Sequence, residues 1–172
     1  MRTVIERYYD QYYAIDIAGK ENNDQYINKH SNGVCVVGLA PTHPALTKSM
    51  VKIEYTGDLE NNQTQGTQKK GAFKLHRDTI VAYITCDDNS TYPIYSCVKG
   101  KLLETNKTIT QNIDILKNNY STSGYIIIVE PFETDELSKQ SELLSFEKYH
   151  QVRGLEIVKG PKFLKDITED EE

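Results

Sequence analysis

The chain has no tryptophan, and no apolar run approaching the about 20 residues that a membrane-spanning helix needs. No helix is therefore expected to cross a bilayer. Cysteine is scarce. Cys35, Cys86 and Cys97 are odd in number, and no two are spaced closely enough to supply half of a zinc site. That pattern argues against both a disulfide framework and a zinc ribbon. The opening residues Met1–Glu6 carry charge where the apolar core of a signal peptide would begin, so reduced thiols in an intracellular setting are expected. On that reading the Asn-x-Ser/Thr sequons at Asn62, Asn89, Asn106 and Asn119 are chance. Positive charge is also in deficit, with 20 Lys and Arg against 25 Asp and Glu. The net charge of −5 disfavours direct nucleic-acid binding, which requires cations to neutralise phosphates. Much of the acid lies in the tail Thr168–Glu172, which reads as a solvated end.

Tyrosine is abundant, with 12 residues against 4 phenylalanines. Its ring packs while its hydroxyl reaches water or a partner, which suits thin, half-buried sheets. Val34–Leu39 is a continuous β-branched run, Val51–Tyr55 and Thr79–Thr85 alternate, and Gly124–Val129 is strongly strand-like. Thr79–Thr85 and Tyr92–Val98 flank the turn Asp87-Asp88-Asn89-Ser90 and predict a hairpin, with Pro93 at a sheet edge. Lys99-Gly100-Lys101 is read as a tight turn. Val4–Tyr13 is read as a helix from apolar residues at spacings of about three and four, with Thr3 and Glu6 as a capping box. Glu21–Asn28 is read as a loop, and Gly57–Gly71 as a long polar loop. Short helices are expected near Pro44 and Ile113, and helix again from Leu137 to Tyr149 with Ser145 as a cap. The expected organisation is residues 1–26 as N-terminal helix and linker, 27–131 as a barrel, 132–153 as a C-terminal helical segment and 154–172 as an extended acidic tail. Many short strands joined by turns predict a mainly β barrel or sandwich.

Few residues promise chemistry. His30, His43, His76 or His150 beside Cys35 or Cys97 would make a nucleophilic pair, but both thiols lie in apolar runs where cysteine is an inert core group. The acid pairs Asp87-Asp88 and Asp135-Glu136 read as solvated charge, and no metal site is expected. Lys69, Lys70, Lys74 and Arg77 are the first candidate for contact with an acidic partner. Any of Tyr8, Tyr9, Tyr12 and Tyr13 left exposed would be a competing anchor.

Two segments, Asn32–Leu39 and Tyr95–Asn106, resemble the glycine-cleavage H-protein, as do Gly124–Ile127 and Ser141–Tyr149. The resemblance implies a barrel-sandwich hybrid, the lipoyl-carrier fold, with short flanking helices. It also places a lipoyl-bearing lysine on the hairpin, at the position of Asn89. Ile84–Ser96 contains no lysine, so no cofactor is expected. A nearer resemblance is to the Abitram family. It rests on Arg7-Tyr8-Tyr9 with Tyr12-Tyr13, on Lys29–Ala40 with His43-Pro44, and on Lys69–Ala72, Ser96–Gly100 and Ser123–Ile126. Tyr12 stands where that family commonly has Trp, and the chain from Gly154 finds no clear counterpart. This resemblance implies a non-enzymatic protein that binds actin, monomeric or filamentous, and modulates transcription. It further implies residence in nuclear speckles, the cytoplasm and actin-rich projections such as lamellipodia and growth cones, and it leaves self-association open. The alternatives are a nuclear scaffold subunit without direct actin contact, or a carrier-like protein docking lipoyl-handling enzymes.

Amide attachment of lipoate or biotin needs an ε-amine, which Asn89 does not offer. Intact-mass spectrometry of the protein purified from cells should show no cofactor-sized mass gain, and a stoichiometric gain would refute this.

Overall fold

The computed structural model describes residues 8–57, 59 and 73–157. Its strands are β1 (Tyr9–Ala14), β2 (Gln25–His30), β3 (Cys35–Leu39), β4 (Met50–Tyr55), β5 (Lys74–Leu75), β6 (Ile80–Cys86), β7 (Thr91–Tyr95), β8 (Gly100–Thr105), β9 (Ile127–Pro131) and β10 (Leu144–Ser145). Its helices are α1 (Lys107–Gln111), α2 (Ile113–Asn118) and α3 (Phe146–Arg153). Among the described residues the strands form a larger sheet in the order β10-β1-β2-β3-β9-β8-β5 and a smaller one, β4-β6-β7. The pairings are antiparallel. The two sheets enclose the main core, in which Ile27, Val37 and Leu39 of the larger sheet join Ile53, Ile84 and Ile94 of the smaller. This is a barrel-sandwich fold.

Side chains complete the closure where strand ladders stop. The Gln25 amide is nine-tenths buried or more and bonds the backbone of Tyr95 twice. Its Nε2 donates to Tyr95 O at 2.8 Å, and its Oε1 accepts from Tyr95 N at 2.9 Å. The Tyr55 hydroxyl donates to Ile126 O at 2.7 Å and accepts from Asn106 N at 2.9 Å. Asn106 and Asn112 cap α1 and α2, each accepting from the amide two residues on.

The N-terminal reading needs correction. From Tyr9 the expected helix is a strand, paired along its whole length with β2; Val4–Arg7 lie outside the described residues. Tyrosine doublets fit a period of two as well as one of 3.6, and aromatics favour the pleated surface. Pairing settles the ambiguity: Tyr12 lies opposite Ile27 and packs on the main core, while Tyr13 lies opposite Tyr26 on the outer face. The expected loop Glu21–Asn28 already contains β2 from Gln25, so a boundary between residues 26 and 27 would cut a strand. The strand expected through Val98 ends at Tyr95, and Cys97 turns the chain with φ of 62°. The predicted turn at Gly100 is instead the start of β8. The helices expected near Pro44 and Ile113 are present, the first as a 3-10 turn over Pro44–Thr47. In the C-terminal segment only Phe146–Arg153 is a regular helix, capped by Ser145 Oγ accepting from Lys148 N at 3.2 Å.

Helix α3 packs outside the barrel. Tyr149 stacks on Tyr13 with ring centroids 4.0 Å apart and planes 2° from parallel, and Tyr26, Ala40 and Phe146 extend the cluster. Tyr26 can lie flat only because its cross-strand partner is Gly38. A Cβ there would sit 2.4 Å from the Tyr26 hydroxyl oxygen. Gly38→Ala should therefore destabilise by roughly 1–3 kcal/mol through displacement of that ring. Denaturant melts with the tyrosine signal as probe would check it, and an unchanged midpoint would refute it.

Candidate functional site: the hairpin tip and the surfaces beside it

The β6–β7 hairpin closes through Asn89 N donating to Cys86 O at 3.0 Å and Cys86 N donating to Ser90 O at 2.9 Å. Asn89 occupies the left-handed region with φ of 64°, a conformation that asparagine tolerates better than most residues. The tip does not stand free. Lys48 Nζ lies 2.8 Å from Asp88 Oδ2, donates to Ser90 Oγ at 3.1 Å and sits 5.3 Å from the Tyr92 ring centroid. Asp87 N donates to Ser49 O at 2.9 Å. The bonds from Lys48 and Ser90 hold the Asp88 carboxyl well below its usual range, and the Asp88 bond raises Lys48 above its own. The pair is solvent-exposed, so its contribution is positional more than energetic. It fastens the tip to the turn that precedes β4.

His43 lies under that turn. It is buried, its Nδ1 accepts from Ala45 N at 3.1 Å, and its ring meets Tyr92 edge-on at 5.5 Å. Burial pushes its pKa down to about 4 against a weaker upward pull from Asp24.

The candidate basic contact is divided by the structure. Lys69 and Lys70 lie outside the described residues. Lys74 is exposed on β5, opposite Lys101. Arg77 is committed elsewhere: its Nε and Nη2 donate to the two oxygens of Glu136 at 2.6 and 3.0 Å. Glu136 Oε1 also accepts from Lys99 N at 3.0 Å, and Gln140 Nε2 donates to Cys97 O at 3.0 Å. Burial alone would raise the Glu136 carboxyl, but the bonds from Arg77 and Lys99 outweigh it and leave it below its ordinary value. Arg77 thus fastens the 132–143 segment across the β7–β8 turn. Of the N-terminal tyrosines, Tyr8 is exposed, Tyr9 and Tyr12 are half-buried and Tyr13 is buried. Cys35 and Cys97 are buried, and burial pushes each thiol up to about 12, so neither supplies a thiolate near neutral pH. Among the described residues no three His, Cys, Asp or Glu side chains gather to hold a metal.

One constellation escaped the sequence reading. Asp24 is fully buried, and both its oxygens are held by Arg153 of α3, Nε to Oδ2 and Nη2 to Oδ1, each at 2.9 Å. Asp16 N also donates to Asp24 Oδ1 at 2.9 Å, and Thr42 Oγ1 donates to Asp24 Oδ2 while lying 2.7 Å from the Tyr149 hydroxyl. Arg153 further donates to Asp16 Oδ1 at 2.7 Å. The only sequence signal was the pairing of an acid just before β2 with an arginine at the end of a helix, far apart in the chain.

The depressed pKa of His43 makes stability depend on pH. The unfolded chain takes up the proton first as pH falls, so the stabilisation is complete above the ordinary value of 6.5 and is lost on descending towards about 4. The difference is on the order of 3 kcal/mol. Denaturation at a series of pH values should show that slope, and His43→Asn, which keeps a capping oxygen but cannot titrate, should flatten it. An equal slope in the variant would refute the assignment.

Known proteins share both the sequence and the fold. The profile of the Glycine cleavage H-protein family matches residues 19–154. A glycine cleavage system H protein from Mycobacterium marinum superposes with a TM-score of 0.60 at 13% identity, covering 85% of this chain and 98% of that one. Protein Abitram of Dictyostelium discoideum is 47% identical over the full length of both chains. Protein Abitram of Xenopus tropicalis and of Homo sapiens are 35% and 34% identical, each over 87% of this chain and 85% and 86% of their own. The residues here do not fit the lipoyl group of an H-protein carrier: the tip offers Asn89, and the ammonium of Lys48 beside it is engaged with Asp88. The chain belongs to the Abitram family, on the glycine cleavage H-protein domain.

Proposed function

We propose that this protein is a non-enzymatic actin-binding module that modulates actin dynamics and transcription, in nuclear speckles, the cytoplasm and actin-rich projections. The observation that carries the non-carrier part of the reading is the hairpin tip, where an amide replaces the amine and an internal ion pair holds the loop. The actin part rests on the resemblance to the Abitram family, whose Dictyostelium discoideum member matches over the whole chain. Actin presents an acidic surface, and the cations proposed to meet it are Lys69, Lys70 and Lys74, of which Lys74 is exposed on β5. Arg77 is not among these contacts, because its charge is engaged by Glu136. Attraction of this kind speeds encounter and weakens with salt. Tyr8 is the remaining aromatic anchor among the N-terminal tyrosines.

Actin co-sedimentation across a salt series tests the reading. The unmodified protein should pellet with filaments and release as salt rises. Replacing Lys69, Lys70 and Lys74 by alanine should weaken binding several-fold with the fold unchanged by circular dichroism, whereas Tyr8→Ala should have the smaller effect. Unchanged binding by the lysine variant would eliminate the basic contact. No binding by the unmodified protein at any salt would overturn the actin reading in favour of a nuclear scaffold subunit.

A further inference from the structure

Asn32 is the one asparagine of the chain that is followed by glycine. It lies at the exposed tip of the β2–β3 hairpin, in the turn His30-Ser31-Asn32-Gly33. Gly33 has φ of 93° and carries no Cβ to crowd its own amide nitrogen. The Asn32 side chain turns back along the following backbone, where its Oδ1 accepts from Val34 N at 3.0 Å. The same bond polarises the side-chain carbonyl and stabilises negative charge developing on its oxygen. The His30 ring holds the preceding backbone, with Nδ1 accepting from Asn32 N at 3.1 Å. The bond that engages the attacking nitrogen opposes reaction: Gly33 N donates to His30 O at 2.8 Å.

We propose that Asn32 is a self-modification site at which the chain converts an amide to a carboxylate. The Gly33 nitrogen, after losing its proton, attacks Cγ of Asn32. The new C–N bond closes a five-membered succinimide, and the side-chain amide leaves as ammonia. One water then opens the ring at either carbonyl, giving aspartate or isoaspartate. No oxidant, reductant or other reagent is required. Opening of the Gly33–His30 hydrogen bond is the gate, so the rate follows local fraying of the hairpin tip and is slower than in the unfolded chain. The other described asparagines are less favourable. Asn23, Asn28 and Asn106 are buried, and Asn89 is followed by Ser90, whose Cβ crowds the attacking nitrogen.

The product has structural consequences. Either form adds one negative charge to a chain of net −5. Isoaspartate also routes the backbone through the side-chain carbon, lengthening the turn. The closing bond from His30 N to Val34 O, 2.8 Å long, and the register of β3 behind it depend on the shorter path. The site therefore acts as an irreversible timer at one end of a core strand.

The test is peptide mapping of the full chain held folded at mildly alkaline pH in heavy-oxygen water, beside a urea-unfolded sample. Asn32 should acquire one heavy oxygen, a gain of about three mass units, ahead of every other asparagine in the folded protein, and more slowly than when unfolded. The modified turn should accept a methyl group from an isoaspartyl carboxyl methyltransferase used as reagent. Gly33→Ala should lower the folded-state rate several-fold, and circular dichroism will show whether that variant keeps its fold; the mapping of the unmodified protein stands independently. An unlabelled Asn32 in the folded protein, or earlier labelling at another asparagine, would overturn the proposal.

Discussion

The barrel depends on Gln25. Strand β2 belongs to the larger sheet, where it pairs with β1 and β3, and β7 to the smaller, where it pairs with β6. The Gln25 side chain presents the donor and acceptor of a peptide group to Tyr95 and completes the seam. Its burial sets the energetic scale: a neutral hydrogen bond contributes about 1 kcal/mol net, but leaving a buried partner unpaired costs roughly 1–3 kcal/mol. Loss of the Gln25 amide would take a partner from the Tyr95 N–H and one from its C=O, which also accepts a weak Cys97 thiol contact at 3.7 Å. The core on which His43, Tyr55 and the β6–β7 hairpin are arranged requires that seam to stay dry.

A second constraint follows from where the chain goes after the barrel is closed. Helix α3 has only a few residues to bury and lies on the outer face of a sheet that is already packed on its inner face. A short helix is marginal alone. It is held by an aromatic stack and by one desolvated ion pair. Arg153 matches both oxygens of Asp24, which suits the planar guanidinium fork and would not suit lysine. A buried carboxylate is costly unless fully paired. Asp24 is satisfied by Arg153, Thr42 and the Asp16 amide, so helix and barrel specify each other. Asp16, Ala18 and Asn22, all non-glycine with positive φ, lie in the loop that brings these groups together. Backbone strain of this kind persists only where surrounding contacts over-determine the loop.

The legible and illegible parts of the sequence divide along these lines. Val34–Leu39 announced β3 by its continuous β-branched composition, and Thr79–Thr85 announced β6 by its alternation. The hairpin tip and the missing amine could be read residue by residue, since both are local. Tyr8–Tyr13 misled because paired tyrosines satisfy two periods, and the choice is made by β2, a strand hidden in a polar stretch. Gln25, Asn28 and Lys29 look like loop residues, yet two of them are buried: Gln25 mends a seam and Asn28 sits among strands. The Arg77–Glu136 and Asp24–Arg153 pairs join residues 59 and 129 positions apart, and no spacing rule reaches that far. Arg77 looked like part of a free basic patch because its acid partner lies beyond several strands.

The fold also constrains what the hairpin can do. A carrier lysine must be free to swing, deprotonate during ligation and offer its amine to another active site. The ammonium bound to this tip does the opposite. Lys48 is held by Asp88, Ser90 and the face of Tyr92, and its proton is retained more firmly than usual. Installing a lysine at Asn89 would restore the amine but not the geometry, because the left-handed backbone at that position disfavours a long side chain. Reversion to a carrier would require relaxing the turn and releasing Lys48 together. The hairpin is therefore better suited to presenting a fixed shape than to delivering a group, and that property favours recognition over transfer.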